Sequence, residues 1–138
     1  MAIRSLFPDD MMKSMGADMS LEGVASKLTY FTMQTWLIHW QTTIYAEHKN
    51  SGDVYEYLND FKDSLMEKFM GYSAKKVKSF KFIPTVDGSN LSTILQEIKS
   101  FAKELEDFAS INNYTDIENM SQELSGVAAK ALYLTTLS

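Results

Sequence analysis

The chain has no cysteine, so thiolate metal sites, disulfides and thiol catalysis are all excluded. Two prolines and six glycines in 138 residues leave few helix breakers. With abundant Leu, Met, Ala, Glu and Lys, that composition favours helices over strands. Positive charge is scarce too: 13 Lys and Arg stand against 18 Asp and Glu, a formal net charge of −5. That balance argues against a chain-wide attraction to nucleic acid. The opening residues, MAIRSLFPDDMMKSMGADMS, lack a basic head followed by a long apolar core and do not read as a signal peptide. Residues 28–46 carry no formal charge over nineteen positions, about the length that spans a bilayer. They include five Thr, two Gln and one His, which is too polar for lipid. A soluble, cytoplasmic protein with no membrane partner is expected.

What is present is one domain's worth of chain, able to bury roughly 68% of its unfolded surface. Residues 1–19 read as an N-terminal arm, with a turn signal at Pro8-Asp9-Asp10 and a Met-rich segment without sustained period. Residues 20–138 read as a bundle of four helices. The first opens at Ser20 as N-cap and carries Leu21, Val24, Ala25, Leu28, Thr32, Thr35 and His39 on one stripe. Tyr30, Phe31, Met33, Trp36, Leu37 and Trp40 cover much of the remaining surface, which implies a second buried face and hence a subunit interface.

Gln41-Thr42-Thr43 reads as a turn, with Thr43 capping a second helix over Ile44–Lys78 that bends at Asn50-Ser51-Gly52, the alternative being that this stretch is itself the loop and Asp53 the cap. Pro84 and Asp87-Gly88 mark residues 79–90 as a longer connection. A third helix, Leu91–Ser110, follows with a regular stripe from Leu91 to Ala109, and Asn112-Asn113 ends it. Thr115-Asp116-Ile117-Glu118 reads as a capping box opening a fourth helix to about Thr136.

The only two histidines, His39 and His48, lie either side of the first turn, and Asp63 and Glu67 follow one helical turn apart. Two imidazoles and two carboxylates suit a borderline divalent metal such as iron or zinc. Across an antiparallel helical hairpin the histidines come to similar heights. The acids do not, because fifteen residues of helix separate His48 from Asp63 by ~22 Å. Their directions nevertheless agree: Asp63 projects about 60° from His48 around the helix, and Glu67 ~40° further on. Two copies packed antiparallel about a two-fold axis on that side place His39 and His48 of one against Asp63 and Glu67 of the other. Symmetry then gives two equal sites per dimer.

His39-Trp40, the second histidine at His48 and the D-x-x-x-E pair at Asp63 and Glu67 resemble the Dps proteins, the mini-ferritins of the ferritin-like superfamily. The overall look, including YAEHK, is similar to divergent ferritin-like proteins of bacteriophages. The resemblance implies a ferritin-like four-helix bundle assembled as a homodimer and then a homododecamer. It also implies an inter-subunit ferroxidase site in which His39, His48, Asp63 and Glu67 are both metal ligands and catalytic residues. Iron, with zinc able to replace it, is the metal so implied. The activity implied is oxidation of Fe(II) by peroxide or oxygen, with iron storage and protection of DNA.

The chain departs from the family in four places, one of them the absence of the family's familiar C-terminal Trp-containing ending. The histidines are nine residues apart, shorter than usual, Gln41-Thr42-Thr43 replaces a Gly-Pro-type turn, and Gly52 stands where many members carry another acid. A non-catalytic ferritin-like structural or interaction protein, such as a phage assembly component with a vestigial or zinc-filled site, is the alternative. Lys75, Lys76, Lys78 and Lys81 crowd four positive charges into seven residues. Cations are favoured at a helix C-terminus, which accounts for them, so contact with DNA is expected to be weak or absent.

Overall fold

The computed structural model describes residues 18–137, so nearly all of the expected arm lies outside the described residues. Four helices make up the fold: α1 (Leu21–Gln41), α2 (Tyr45–Ser73), α3 (Leu91–Asn112) and α4 (Thr115–Leu134). There is no strand among the described residues. The all-helical class and the four-helix count agree with the sequence reading.

Local chemistry sets the helix ends. Ser20 caps α1, its hydroxyl accepting from the Gly23 N–H at 3.0 Å. α2 runs unbroken through Asn50-Ser51-Gly52, with Asn50 and Ser51 buried. It stops at Ala74, whose left-handed backbone (φ 57°) turns the chain out of the helix. α2 therefore ends five residues earlier than expected, and Lys75, Lys76 and Lys78 follow the helix instead of belonging to it. Asn90 caps α3 through the Thr93 N–H, and left-handed Asn113 (φ 60°) ends it.

Two expected caps are corrected. Thr43 does not cap α2: the cap position is Ile44, whose N–H donates to the hydroxyl of Thr42 at 3.1 Å. The Thr115 capping box does not form, because Thr115 is already the first residue of α4 and Tyr114, without a side-chain cap, precedes it.

α1 packs on α2 and α3 on α4, while the α2–α4 and α1–α3 contacts close the square. Contacts at the two ends fix the directions of the middle helices. Glu47, in the first turn of α2, accepts from the Leu91 N–H at the start of α3 at 3.1 Å. At the other end Phe69 of α2 meets Phe108 of α3, and the Tyr72 hydroxyl accepts from the Asp116 N–H. So α2 and α3 run parallel, and residues 74–90 must travel the length of the bundle between them. Seventeen extended residues reach ~56 Å, against ~43 Å for a helix as long as α2, so the span is within reach.

The core is apolar and shared by all four helices, with Phe31, Leu58, Leu65, Leu95, Phe101 and Leu105 almost fully enclosed. Phe31 of α1 meets Phe101 of α3 edge to face, centroids 5.6 Å apart. Tyr57 of α2 donates to Glu123 of α4 at 3.0 Å. Partial burial and that carboxylate both push the phenol above its ordinary range.

The connecting segment lies against the bundle. Gln34 of α1 is fully buried and pairs with the Val86 backbone in both directions: its amide donates to the Val86 carbonyl at 3.0 Å and accepts from the Val86 N–H at 2.7 Å. Gln41 donates to Asp87 at 2.8 Å. Val77 and Ile83 pack partly buried against the core. Tyr30 and Phe31 are buried as well, so part of the all-round apolar surface of α1 is covered within a single chain and less of it is left for a partner.

Candidate metal half-site at the α1–α2 corner

His39 is in the last turn of α1 and His48 in the first turn of α2, joined by a three-residue corner. The corner is tight because Gln41 ends one helix and Tyr45 begins the next. The two imidazoles are thereby brought face to face, centroids 4.0 Å apart and planes 16° from parallel. Each ring also binds the other's backbone. His39 Nδ1 lies 2.7 Å from the His48 carbonyl oxygen, and His48 Nδ1 lies 2.9 Å from that of His39. A carbonyl oxygen only accepts, so both Nδ1 atoms carry the proton, and in the neutral rings both Nε2 atoms keep the lone pair. An N–H bonded to a backbone carbonyl is the usual way a metal-binding histidine is fixed in orientation. Ser51 adds to the corner, its hydroxyl donating to the same His48 carbonyl at 3.0 Å.

Gly52 explains how α2 comes so close. A Cβ there would stand 2.9 Å from His39 Cε1 and 3.1 Å from Nδ1, so only a residue without a side chain leaves room for the ring. The position where an additional acid was sought is the floor under His39. Nearby, Trp36 stacks on Tyr55 (centroids 4.8 Å apart) and leans on Trp40 at the same separation. Around the corner Trp40, Ile44 and Tyr45 are 65%, 61% and 77% exposed. Three large apolar side chains left in water beside one turn mark a surface suited to a partner.

Asp63 and Glu67 are exposed on α2, away from the histidines along the helix axis, and Asp63 lines an open hollow with Asn59, Asp60, Lys62 and Met66. Among the described residues no three His, Asp or Glu side chains gather closely enough to hold a metal ion. The chain alone thus brings His39 and His48 together and keeps them apart from Asp63 and Glu67. Sequence reasoning missed the reciprocal backbone bonds and the role of Gly52. The signal for both was a glycine inside a helical pattern, four residues past a histidine.

An all-helical four-helix protein with a histidine-paired corner is the class defined by this fold and site. The chain belongs to DUF5856, a family of unknown function whose model matches residues 39–134, a stretch that begins at His39 and contains all four candidate ligands. No curated protein and no solved structure matches it.

Proposed function

We propose that this protein is a Dps-like, ferritin-like bundle acting in the cytoplasm, where it binds and oxidises Fe(II) at sites shared between two copies and stores the product. The observation that carries the reading is the histidine pair, both Nδ1–H groups held by carbonyls and both Nε2 atoms left with free lone pairs. Parallel α2 and α3 joined by one long crossover are also what a ferritin-like bundle requires. The exposed Trp40, Ile44 and Tyr45 give the second copy an apolar seat beside the histidines.

The donor set fits iron as substrate. Neutral imidazoles suit Fe(II), and the carboxylates of Asp63 and Glu67 from the second copy favour Fe(III). A ligated ion lies near the plane of its imidazole. Two near-parallel rings 4.0 Å apart cannot share one ion without unstacking, so each ring serves its own. Two Fe(II) ions side by side supply the two electrons that reduce one peroxide to water. Removing iron and peroxide together is how such a protein protects DNA. A dodecamer would weigh about 188 kDa from its 15.7 kDa subunits.

A second reading has its own support. The clasp satisfies both Nδ1 atoms within the chain, so it can also serve as a structural staple in a non-catalytic assembly protein, vestigial or zinc-filled. Mixing separates the two. His39→Ala/His48→Ala and Asp63→Asn/Glu67→Gln should each oxidise Fe(II) no faster than buffer. Unfolded and refolded together, they should recover about a quarter of wild-type activity, because half the dimers are mixed and each holds one intact site. No recovery, or full activity in either parent, rejects the shared site.

A further inference from the structure

The segment that follows α2 carries a surface that the iron reading does not use. From Lys68 to Val86 there are five lysines and no acid, in a chain whose net charge is −5. Lys75, Lys76, Lys78 and Lys81 are all exposed and follow the helix, in non-helical backbone. The ion pairs among the described residues join Lys49 to Asp53 and Lys103 to Glu106 and Asp107, so none of them engages these four.

Interleaved with the lysines are two aromatic rings facing water, Phe80 at 48% and Phe82 at 66% exposure. The segment is anchored by smaller residues, since Val77 and Ile83 pack on the core while the two phenylalanines stay outside. Burial would favour the opposite arrangement, because a phenylalanine removes more apolar surface from water than a valine does. Folding alone does not account for two exposed rings either side of Lys81 in a segment with four exposed cations.

We propose that residues 75–82 form a binding strip for single-stranded nucleic acid. The lysines neutralise successive phosphates, and Phe80 and Phe82 stack on unpaired bases. Residues 75–82 are in neither helix nor strand, and wherever such a segment extends along a nucleic-acid strand, side chains two apart, as Lys76 and Lys78 or Phe80 and Phe82 are, stand ~6.6 Å from each other. Cations tracking the backbone and rings stacking on bases are the two parts from which sequence-tolerant single-strand sites are built. An acidic peptide would use the lysines and leave the rings without a matching partner, whereas an anionic bilayer takes both, so vesicle binding is the outcome of the test that decides against nucleic acid. A duplex hides its base faces, so it meets the charges alone. The inference stands apart from the iron reading, since none of its residues is a proposed ligand.

The test is fluorescence anisotropy of a labelled twenty-base single strand with the full-length protein. Binding should fall about fifty-fold between 50 and 200 mM salt if four phosphates are neutralised, a log–log slope of about −2.8. Phe80→Ala/Phe82→Ala should weaken single-strand binding by on the order of tenfold per ring and leave duplex binding unchanged. The four-lysine variant to Gln should abolish single-strand binding. Unchanged circular dichroism and melting show that both variants fold, as expected for substitutions at exposed positions. Wild-type affinity in the double Phe variant, binding to polyglutamate or phosphatidylserine vesicles as tight as to the oligonucleotide, or no binding at 50 mM salt each overturn the proposal.

Discussion

The α3–α4 pair and the α1–α2 pair are held together by different chemistry. α3 buries Leu91, Ile94, Leu95, Ile98, Phe101, Ala102, Leu105 and Ala109, an unbroken apolar stripe at three- and four-residue spacing. α4 answers with Ile117, Leu124, Ala128 and Ala131 and one buried hydroxyl, Ser121, which returns its proton to the Ile117 carbonyl. α1 buries Ser26, Thr32, Gln34 and Thr35 among its apolar residues, and α2 buries Asn50 and Ser51. Each buried polar group needs a partner, because an unmet one costs about 1–3 kcal/mol. Thr32 and Thr35 bond back to α1 carbonyls, Gln34 to Val86, and Ser51 to His48. One half of the bundle is held by area, and the other also by directed bonds that fix a connecting segment and a histidine pair. The half rich in directed bonds carries the candidate site.

Truncating the apolar half should cost most. Leu105 is fully enclosed in α3, and Leu105→Ala should destabilise the fold by about 2–5 kcal/mol, read from urea unfolding. The loss should be global, with every amide of the bundle exchanging faster. A loss confined to α3 and α4 would break the picture of one shared core.

The polar half should respond more locally. Gln34→Ala removes both bonds to Val86 and should cost about 1–3 kcal/mol. Its signature is the place of the loss: the Val86 amide and its neighbours should exchange faster while α3 and α4 amides keep most of their protection. Unchanged protection at Val86 would show that the segment is held by Val77 and Ile83 alone, and uniform loss that Gln34 supports the whole bundle.

Legibility in the sequence follows the same division. The apolar stripe of α3 is readable because burial is periodic, and periodicity needs no knowledge of the partner. The approach of His39 to His48 is readable for a similar reason, since a short turn between antiparallel helices sets their heights. Directed bonds are not periodic. Nothing in the identity of Gln34 announces that it clamps Val86, fifty-two residues away. The end of α2 at Ala74 was hidden because Lys75, Lys76 and Lys78 are good helix formers, and a left-handed turn on alanine has no propensity signal. The Thr115 box failed because the helix starts one residue early, at Thr115 itself, with Tyr114, which stacks on Tyr72, in the cap position. Tertiary packing outranked a local cap there.

Gly52 gives the smallest expected effect on stability and the sharpest view of the corner. In an exposed helix interior, Gly→Ala stabilises by roughly 0.5–1 kcal/mol through backbone entropy. Here the new methyl would stand 2.9 Å from His39 Cε1, and the ring must shift to admit it. The shift strains the 2.7 Å bond to the His48 carbonyl, a neutral hydrogen bond contributing about 0.5–1.5 kcal/mol. The two effects oppose, so Gly52→Ala should leave the melting temperature almost where it was. The imidazole Nδ1–H of His39 should lose its protection from solvent exchange, seen by NMR, and Fe(II) oxidation should slow because that ring no longer holds its orientation. A clear rise in stability with the Nδ1–H still protected would show that the corner accommodates a side chain, and that Gly52 is not what lets α2 close on the histidine.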